Sequence, residues 1–217
     1  MLLDFIYLPF ILMSVICGWF FGRKTNHIVH KLLFYFLLVT FINESVCLVL
    51  KRNAIATQVY YNLYYYFRFP LIVCMYSIVM QKAVYVQYLA LFFYLLSILM
   101  FVLLVGKEGG IYKLDTRYLL TGGITVILFC IVYFYRLLQN EDDRPLSMTL
   151  FFLVSIGFFV YFLGVIPSLG LINFLVKKDI IQATFGLMVP KILSILLYSL
   201  IAIEFYLQWT NSKKSKM

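Results

Sequence analysis

Charged residues are scarce in this chain of 217 amino acids: 12% are Asp, Glu, Lys or Arg, and only nine are acidic. A soluble domain carries about twice that charged fraction. Hydrophobic residues make up 64% of the sequence, and the mean hydropathy is +0.97. No soluble core of this size buries so much apolar surface. The composition excludes a soluble enzyme, a disordered segment and a disulfide-rich secreted module, and it predicts a protein whose solvent is lipid.

Motifs that carry reaction chemistry are also missing. The sequence contains no GxSxG, HExxH or P-loop motif. His27 and His30 lie at helical spacing but have no Cys or carboxylate cluster nearby, so we do not expect a metal site. The four cysteines lie singly in apolar runs, which favours packing over redox or zinc chemistry: Cys17, Cys47, Cys74 and Cys130. The sequence therefore predicts no cofactor, no metal and no catalytic residue.

Seven apolar runs have the length of a membrane-spanning helix, which is roughly 20 residues. Barrel strands are shorter and alternate in polarity, whereas these runs are continuous. The predicted fold is an all-α membrane protein, a seven-transmembrane-helix bundle with short loops that forms one domain over residues 1–217. The predicted spans are 2–21, 32–50, 60–80, 86–105, 118–136, 149–173 and 187–208.

Basic residues outnumber acidic residues by 18 to 9, and most of them lie between the apolar runs. Anionic lipid headgroups are their expected counter-charge, rather than nucleic acid. The basic cluster of Lys213, Lys214 and Lys216 favours a cytoplasmic C-terminus, and seven spans then place the N-terminus outside. The first run follows no basic stretch, so we expect it to be a retained span rather than a signal peptide. These patterns predict a multi-pass protein of the inner (plasma) membrane.

Two opposite charges lie inside neighbouring spans. An ionisable group in hydrocarbon costs several kcal/mol unless it pairs, snorkels or lines a wet cavity. Glu44 and Arg68 lie about 9 Å and about 12 Å below the same boundary, so we predict an ion pair. That pair either fixes the helix register alone or belongs to a polar pocket in the outer half. Snorkelling explains Lys191 and Glu204 in the last span, although Lys191 is near enough in depth to join the pocket.

A polar row on the third span ends at the arginine. Tyr61, Tyr64, Tyr65 and Arg68 follow the helical spacing i, i+3, i+4 and i+7. Their hydroxyl groups require partners, so this face should point into the bundle, although an interfacial aromatic belt also accounts for Tyr61. Tyr161, near the middle of the sixth span, should donate a hydrogen bond inside the bundle. The predicted ligand pocket contains Glu44, Tyr64, Tyr65, Arg68, Tyr161 and Lys191.

Four stretches carry a resemblance: residues 41–45, residues 61–64, residues 155–164, and Tyr198 with its neighbours Leu197 and Ala202. They resemble small bacterial seven-helix membrane proteins of about this length, an uncharacterised group of which some are encoded near histidine kinases. The likeness covers most of the chain through loose, apolar motifs and implies an accessory or sensory role. Arg68 stands where such proteins often have a second acid, which argues against any role that needs two acids.

The leading functional hypothesis is a non-enzymatic, sensor-like or accessory subunit. A ligand in the polar pocket would bias the helix packing, and a partner protein or a second copy of the chain would respond. The alternative is a transporter or channel subunit, which needs a polar path through both halves of the bilayer. A lipid-modifying enzyme would have Glu44 alone as its general base. In a purely structural subunit, the internal charges would serve packing only.

Overall fold

The computed structural model describes residues 2–22, 27–80, 84–106, 112, 115–139, 151–178 and 180–214. Within these ranges the chain forms seven α-helices and no strand, which confirms the all-α prediction for the described residues. The helices are α1 (Leu2–Phe20), α2 (Ile28–Arg52), α3 (Gln58–Val79), α4 (Val84–Val105), α5 (Thr116–Gln139), α6 (Phe152–Lys178) and α7 (Ile180–Lys214).

Several helices continue beyond the apolar runs that predicted them, whereas α1 and α3 each end one residue before the predicted end. α2 begins four residues before the predicted start at 32 and ends at Arg52 rather than at 50. α7 extends past the predicted run 187–208 at both ends. Backbone hydrogen bonding does not stop where the apolar residues stop, and Lys51 and Arg52 favour the negative end of the α2 dipole.

Four helical segments are long and apolar enough to cross a membrane: Ile28–Arg52, Val84–Val105, Thr116–Gln139 and Met188–Asn211. Ile6–Phe20 and Phe152–Ser168 are apolar but shorter. α3 is not among these segments, because Asn62, Arg68 and the row of tyrosines lower its hydropathy. The polar groups of α3 must therefore find partners inside the protein, and they define the candidate site.

Six of the helices close into a ring. α1 packs against α2 and α7, α2 against α3, α3 against α5, and α6 against both α5 and α7, while α4 lies outside against α3 and α5. α3 and α6 meet across the centre, where the ring centres of Phe69 and Phe162 are 5.6 Å apart. Nearer the end of α3, the Tyr76 hydroxyl donates to Ser155 Oγ at 3.0 Å. The core thus lies between α2, α3, α5 and α6.

Glycines allow α6 and α7 to pack closely as an antiparallel pair. A Cβ atom on Gly157 would lie 2.8 Å from Leu197 Cδ1, and one on Gly164 would lie 2.3 Å from Leu193 Cδ1. Small residues permit this close approach of two helices in lipid, where packing drives association. The α6–α7 pair therefore forms one side of the bundle and fixes the position of α6 residues relative to α3.

Glu204 caps a helix rather than reaching for the membrane surface. Its side chain is fully buried, and it accepts hydrogen bonds from the backbone N–H groups of Phe151 (3.0 Å) and Leu153 (3.3 Å) at the start of α6. Gln208 Nε2 donates to the same carboxylate at 3.1 Å. The snorkelling expected for Glu204 is therefore wrong, because the antiparallel packing of α7 brings this acid to the unpaired N–H groups of α6.

Replacing Glu204 by Ala removes the acceptor for two backbone N–H groups. We expect the free energy of unfolding to fall by about 1–3 kcal/mol, with a smaller loss for Glu204→Gln, which keeps one oxygen. Thermal stability of the purified protein in detergent measures the effect. Ile203→Ala truncates the exposed neighbouring side chain and serves as the control; an equal loss in Ile203→Ala and Glu204→Ala would contradict the capping role.

Candidate functional site

The polar face of α3 points into the bundle at the end where α2 finishes and α3 begins. Tyr64 and Arg68 are 6% and 4% exposed. The Tyr64 hydroxyl shares a hydrogen bond of 2.7 Å with Thr40 Oγ1 on α2. This inward orientation explains how a helix with low hydropathy packs in an apolar protein: its polar groups meet other polar groups and aromatic rings.

Arg68 lies within four aromatic rings, which together with it form the arginine cage. The rings come from three helices, with Phe36 on α2, Tyr64 on α3, and Tyr161 and Phe162 on α6. The guanidinium carbon is 5.2 Å from the ring centre of Tyr161, 5.5 Å from Phe162, 5.6 Å from Tyr64 and 5.7 Å from Phe36. Each such contact stabilises a desolvated cation by up to about 2 kcal/mol.

The rings do not provide the acceptors that a guanidinium requires. Nε and Nη2 of Arg68 are buried and have no hydrogen-bond partner among the described residues. Their N–H groups lie on the same edge of the planar guanidinium, the edge that binds planar oxyanions through two parallel hydrogen bonds. Asn43 Nδ2, on the adjacent helix α2, is a third buried donor without a partner. The guanidinium edge itself thus presents two buried donors without an acceptor among the described residues.

Tyrosine hydroxyl groups, rather than Arg68, hold Glu44. The hydroxyl of Tyr7 on α1 donates to Glu44 Oε2, and that of Tyr61 donates to the same oxygen at 3.3 Å. The Lys51 ammonium lies 5.8 Å from the Tyr61 ring centre, and both Arg68 and Lys51 act electrostatically on the carboxylate without contacting it. Between the described side chains of Glu44 and Arg68 no ion pair forms, so the predicted pair is wrong. Tyrosine hydroxyl groups donate to the carboxylate of Glu44, and aromatic rings surround the guanidinium of Arg68.

Glu44 and the two tyrosines that donate to it, Tyr7 and Tyr61, form the Glu44 cluster. Tyr65 links this cluster to the arginine cage. Its ring stacks on Tyr61 with ring centres 6.2 Å apart, and it lies 5.8 Å from the Tyr64 ring. The structure thus brings five of the six predicted pocket residues into one continuous set of contacts: Glu44, Tyr64, Tyr65, Arg68 and Tyr161. Their use as a ligand pocket stays a prediction.

Lys191, the sixth predicted residue, lies half-buried on α7 directly after Pro190. Its side chain is not one of the groups described around the Arg68 guanidinium. The participation of Lys191 in the site stays a prediction.

Sequence reasoning missed several members of the site. Phe36, Thr40 and Glu44 recur at a spacing of four residues, and this helical period would have placed the first two on the face of the acid. Tyr7 carries no such signal, because its contact with Glu44 depends on how α1 packs against α2. Phe162 follows Tyr161 directly, and periodicity does not indicate that both rings flank the same guanidinium.

A second polar cluster at this end of the bundle satisfies its own hydrogen bonds. Asp115 accepts from the Tyr66 hydroxyl at 2.8 Å and from the Tyr118 backbone N–H at 3.2 Å, at the start of α5. The Asp115 N–H donates to Asn62 Oδ1 at 2.9 Å. These bonds attach the start of α5 to α3, which is a structural role.

The histidine pair lies at the start of α2, where the ring centres of His27 and His30 are 6.1 Å apart. Over the ranges that the structure describes, no three His, Cys, Asp or Glu side chains are grouped as metal ligands would be. The chemistry of the candidate site is therefore that of its guanidinium, tyrosines and single carboxylate.

Comparison with known proteins gives no match: no family model, no curated protein and no solved structure is similar to this chain. The functional argument consequently depends on the geometry of the arginine cage and the Glu44 cluster. The resemblance to small bacterial seven-helix proteins stays an expectation.

A double-mutant cycle distinguishes the tyrosine contacts of Glu44 from the ion pair that the sequence predicted. We expect Glu44→Gln and Tyr7→Phe to be coupled by at least about 0.5 kcal/mol in the free energy of unfolding, because the two groups share a hydrogen bond. The effects of Glu44→Gln and Tyr60→Phe on the free energy of unfolding should be additive, because Tyr60 is an exposed tyrosine and serves as the control. Stronger coupling of Glu44→Gln to Arg68→Gln than to Tyr7→Phe would contradict the observed arrangement.

Proposed function

We propose that this chain is a non-enzymatic, multi-pass membrane protein that binds a ligand in the arginine cage and acts as a sensor-like or accessory subunit through a partner protein. The observation that carries the proposal is the buried Arg68 edge with two unpartnered donors. An uncompensated buried charge does not stabilise an apolar bundle. In a buried ion pair, removing one charge costs several kcal/mol because the other charge is left without its partner. A residue of this kind in a membrane protein favours a functional site over a packing role.

The cage connects ligand binding to helix packing. Its rings belong to α2, α3 and α6, so a ligand that displaces the guanidinium changes the contacts of three helices at once. Pro167 lies in α6 shortly after Tyr161 and Phe162. Proline has no N–H group, which removes one intrahelical hydrogen bond and lowers the resistance of α6 to bending. We propose α6 as the element whose position reports the ligand.

A partner protein or a second copy of the chain would receive this change. The connections between the described helices are short, and the helices themselves account for most of the chain. The chain thus offers little mass outside the bundle for an output of its own. This matches the accessory role that the resemblance to bacterial seven-helix proteins implies.

The proposed topology has all seven helices crossing the inner (plasma) membrane, with the N-terminus outside and the C-terminus in the cytoplasm. α3 fits this topology because its Arg68 and Tyr64 side chains are buried rather than exposed to acyl chains. The arginine cage then lies in the outer half of the bilayer. If only the four segments that are long and apolar enough crossed the membrane, both termini would lie on the same side.

Protease accessibility of epitope tags tests this topology by parity. We expect an N-terminal tag to be cleaved in intact spheroplasts while a C-terminal tag is protected, because an odd number of spans separates the termini. Both tags should be cleaved after permeabilisation, which is the control. Cleavage of both tags, or of neither, in intact spheroplasts would contradict seven spans.

Flux measurements separate the proposal from a transporter or channel subunit. Transport requires a polar path through both halves of the bilayer. In the half away from the cage, the Tyr76 ring packs against Phe129, Tyr133 and Phe151 at 5.8, 6.1 and 5.1 Å between ring centres. This aromatic cluster supports a closed bundle.

We therefore expect proteoliposomes that contain the full chain to show only background flux of ions and small solutes, with no difference between the wild type and Arg68→Gln. Flux that depends on Arg68 would overturn the sensor-like role.

In cross-linked native membranes, a partner or second copy should associate in fixed stoichiometry, and Arg68→Gln should change that association more than Arg117→Gln, a control at an exposed arginine of α5.

A further inference from the structure

We infer that the arginine cage binds a monocarboxylate with an apolar body, whose two oxygens accept hydrogen bonds from Nε–H and Nη2–H of Arg68. This inference rests on the proposed function and names the class of its ligand. It starts from two donors without acceptors: Nε and Nη2 of Arg68 are buried, and each lacks a hydrogen-bond partner among the described residues. A ligand that satisfies them must supply oxygen atoms.

The geometry of the edge selects a planar pair of oxygens. The Nε–H and Nη2–H groups of a guanidinium point in parallel, which matches the two oxygens of a carboxylate. A neutral amide offers a single acceptor oxygen and would leave one donor of the edge unpaired. The cost of an unpaired buried donor is what distinguishes an acid from its amide at such a site.

The charge balance selects a monoanion. Glu44 is not in contact with the guanidinium, because its carboxylate accepts hydrogen bonds from Tyr7 and Tyr61. It interacts electrostatically with two cations, Arg68 and Lys51, so it leaves one positive charge in the region without a counter-charge. One carboxylate compensates the single positive charge of Arg68. A phosphate dianion would bring a further negative charge among four aromatic rings, where no solvent offsets it.

The walls select the remainder of the ligand. Phe36 and Phe162 are 1% exposed, whereas Tyr161 is half-buried and has the ring closest to the guanidinium. Tyr161 is the most exposed of the four rings, and a ligand at the guanidinium edge would contact aromatic rings, which favours an aromatic or aliphatic body. Such an acid reaches the cage either from water, as a short acid, or from the bilayer, as a long-chain fatty acid.

The test uses the full chain, freed of fatty acid, in nanodiscs of phosphatidylcholine. The probes are phenylacetate, oleate, phenylacetamide and inorganic phosphate, and the readouts are calorimetric affinity and the shift in melting temperature. We expect at least one of the two acids to bind saturably and to raise the melting temperature, while phenylacetamide and phosphate do not. Binding of phenylacetate indicates an aqueous source, and binding of oleate alone indicates the bilayer; either result supports the inference.

Variants place the binding at the cage. Arg68→Lys keeps the positive charge but loses the two-donor edge, so the affinity for the acid should fall at least tenfold, whereas Arg117→Lys should leave it unchanged. Tyr161→Ala, which removes the ring closest to the guanidinium, should weaken binding to a smaller extent and serves as the second localising variant if Arg68→Lys does not yield folded protein.

Four outcomes would overturn the inference. The first three are an amide that binds the wild type as tightly as its acid, phosphate as the preferred probe, and full affinity for the acid in the folded Arg68→Lys or Tyr161→Ala variant. The fourth is that neither phenylacetate nor oleate binds. The proposed function is tested separately, since flux and partner association do not depend on which ligand binds.

Discussion

A guanidinium enclosed by aromatic rings, without a carboxylate in contact, is the constraint on which the candidate site depends. Placing an arginine among apolar side chains costs several kcal/mol, and cation–π contacts offset part of this cost. Because the rings of the cage come from α2, α3 and α6, the contacts of Arg68 depend on the mutual arrangement of these helices. The same arrangement leaves one edge of the guanidinium without acceptors, which is why the residue that orders the bundle is also its best candidate for binding.

Polar contacts organise the two ends of the bundle differently. At the α2–α3 end, Glu44 joins α1, α2 and α3 through the Tyr7 and Tyr61 hydroxyls. At the opposite end, Glu204 attaches α7 to the start of α6 through backbone N–H groups. The first acid is held by side chains of two other helices, and the second by two backbone N–H groups at the start of α6 together with Gln208 of its own helix. Both acids therefore join neighbouring helices, one at each end of the bundle.

Hydropathy was sufficient to predict the helices, and periodicity was sufficient to predict the inward face of α3. Every predicted run overlaps one of the seven helices. Most boundaries differ by a few residues, and the predicted start of the sixth run at 149 lies outside the described residues. The contacts that the buried charged residues make were not predictable from the sequence. Glu44 and Arg68 have similar depths on adjacent helices, but depth does not determine the rotation of a helix about its axis, and that rotation turns the acid toward Tyr7. The prediction that Glu204 snorkels was wrong for a related reason, since the distance of Glu204 from the start of α6 depends on how closely α6 and α7 pack.

The decisive measurement is a density map of the full chain in a nanodisc of neutral lipid, at a resolution that shows side chains. We expect the Arg68 guanidinium to lie between the rings of Phe36, Tyr64, Tyr161 and Phe162, with Glu44 bound to the Tyr7 and Tyr61 hydroxyls and beyond ion-pair distance from Arg68. A salt bridge between Glu44 and Arg68, or a guanidinium that faces the acyl chains, would contradict it.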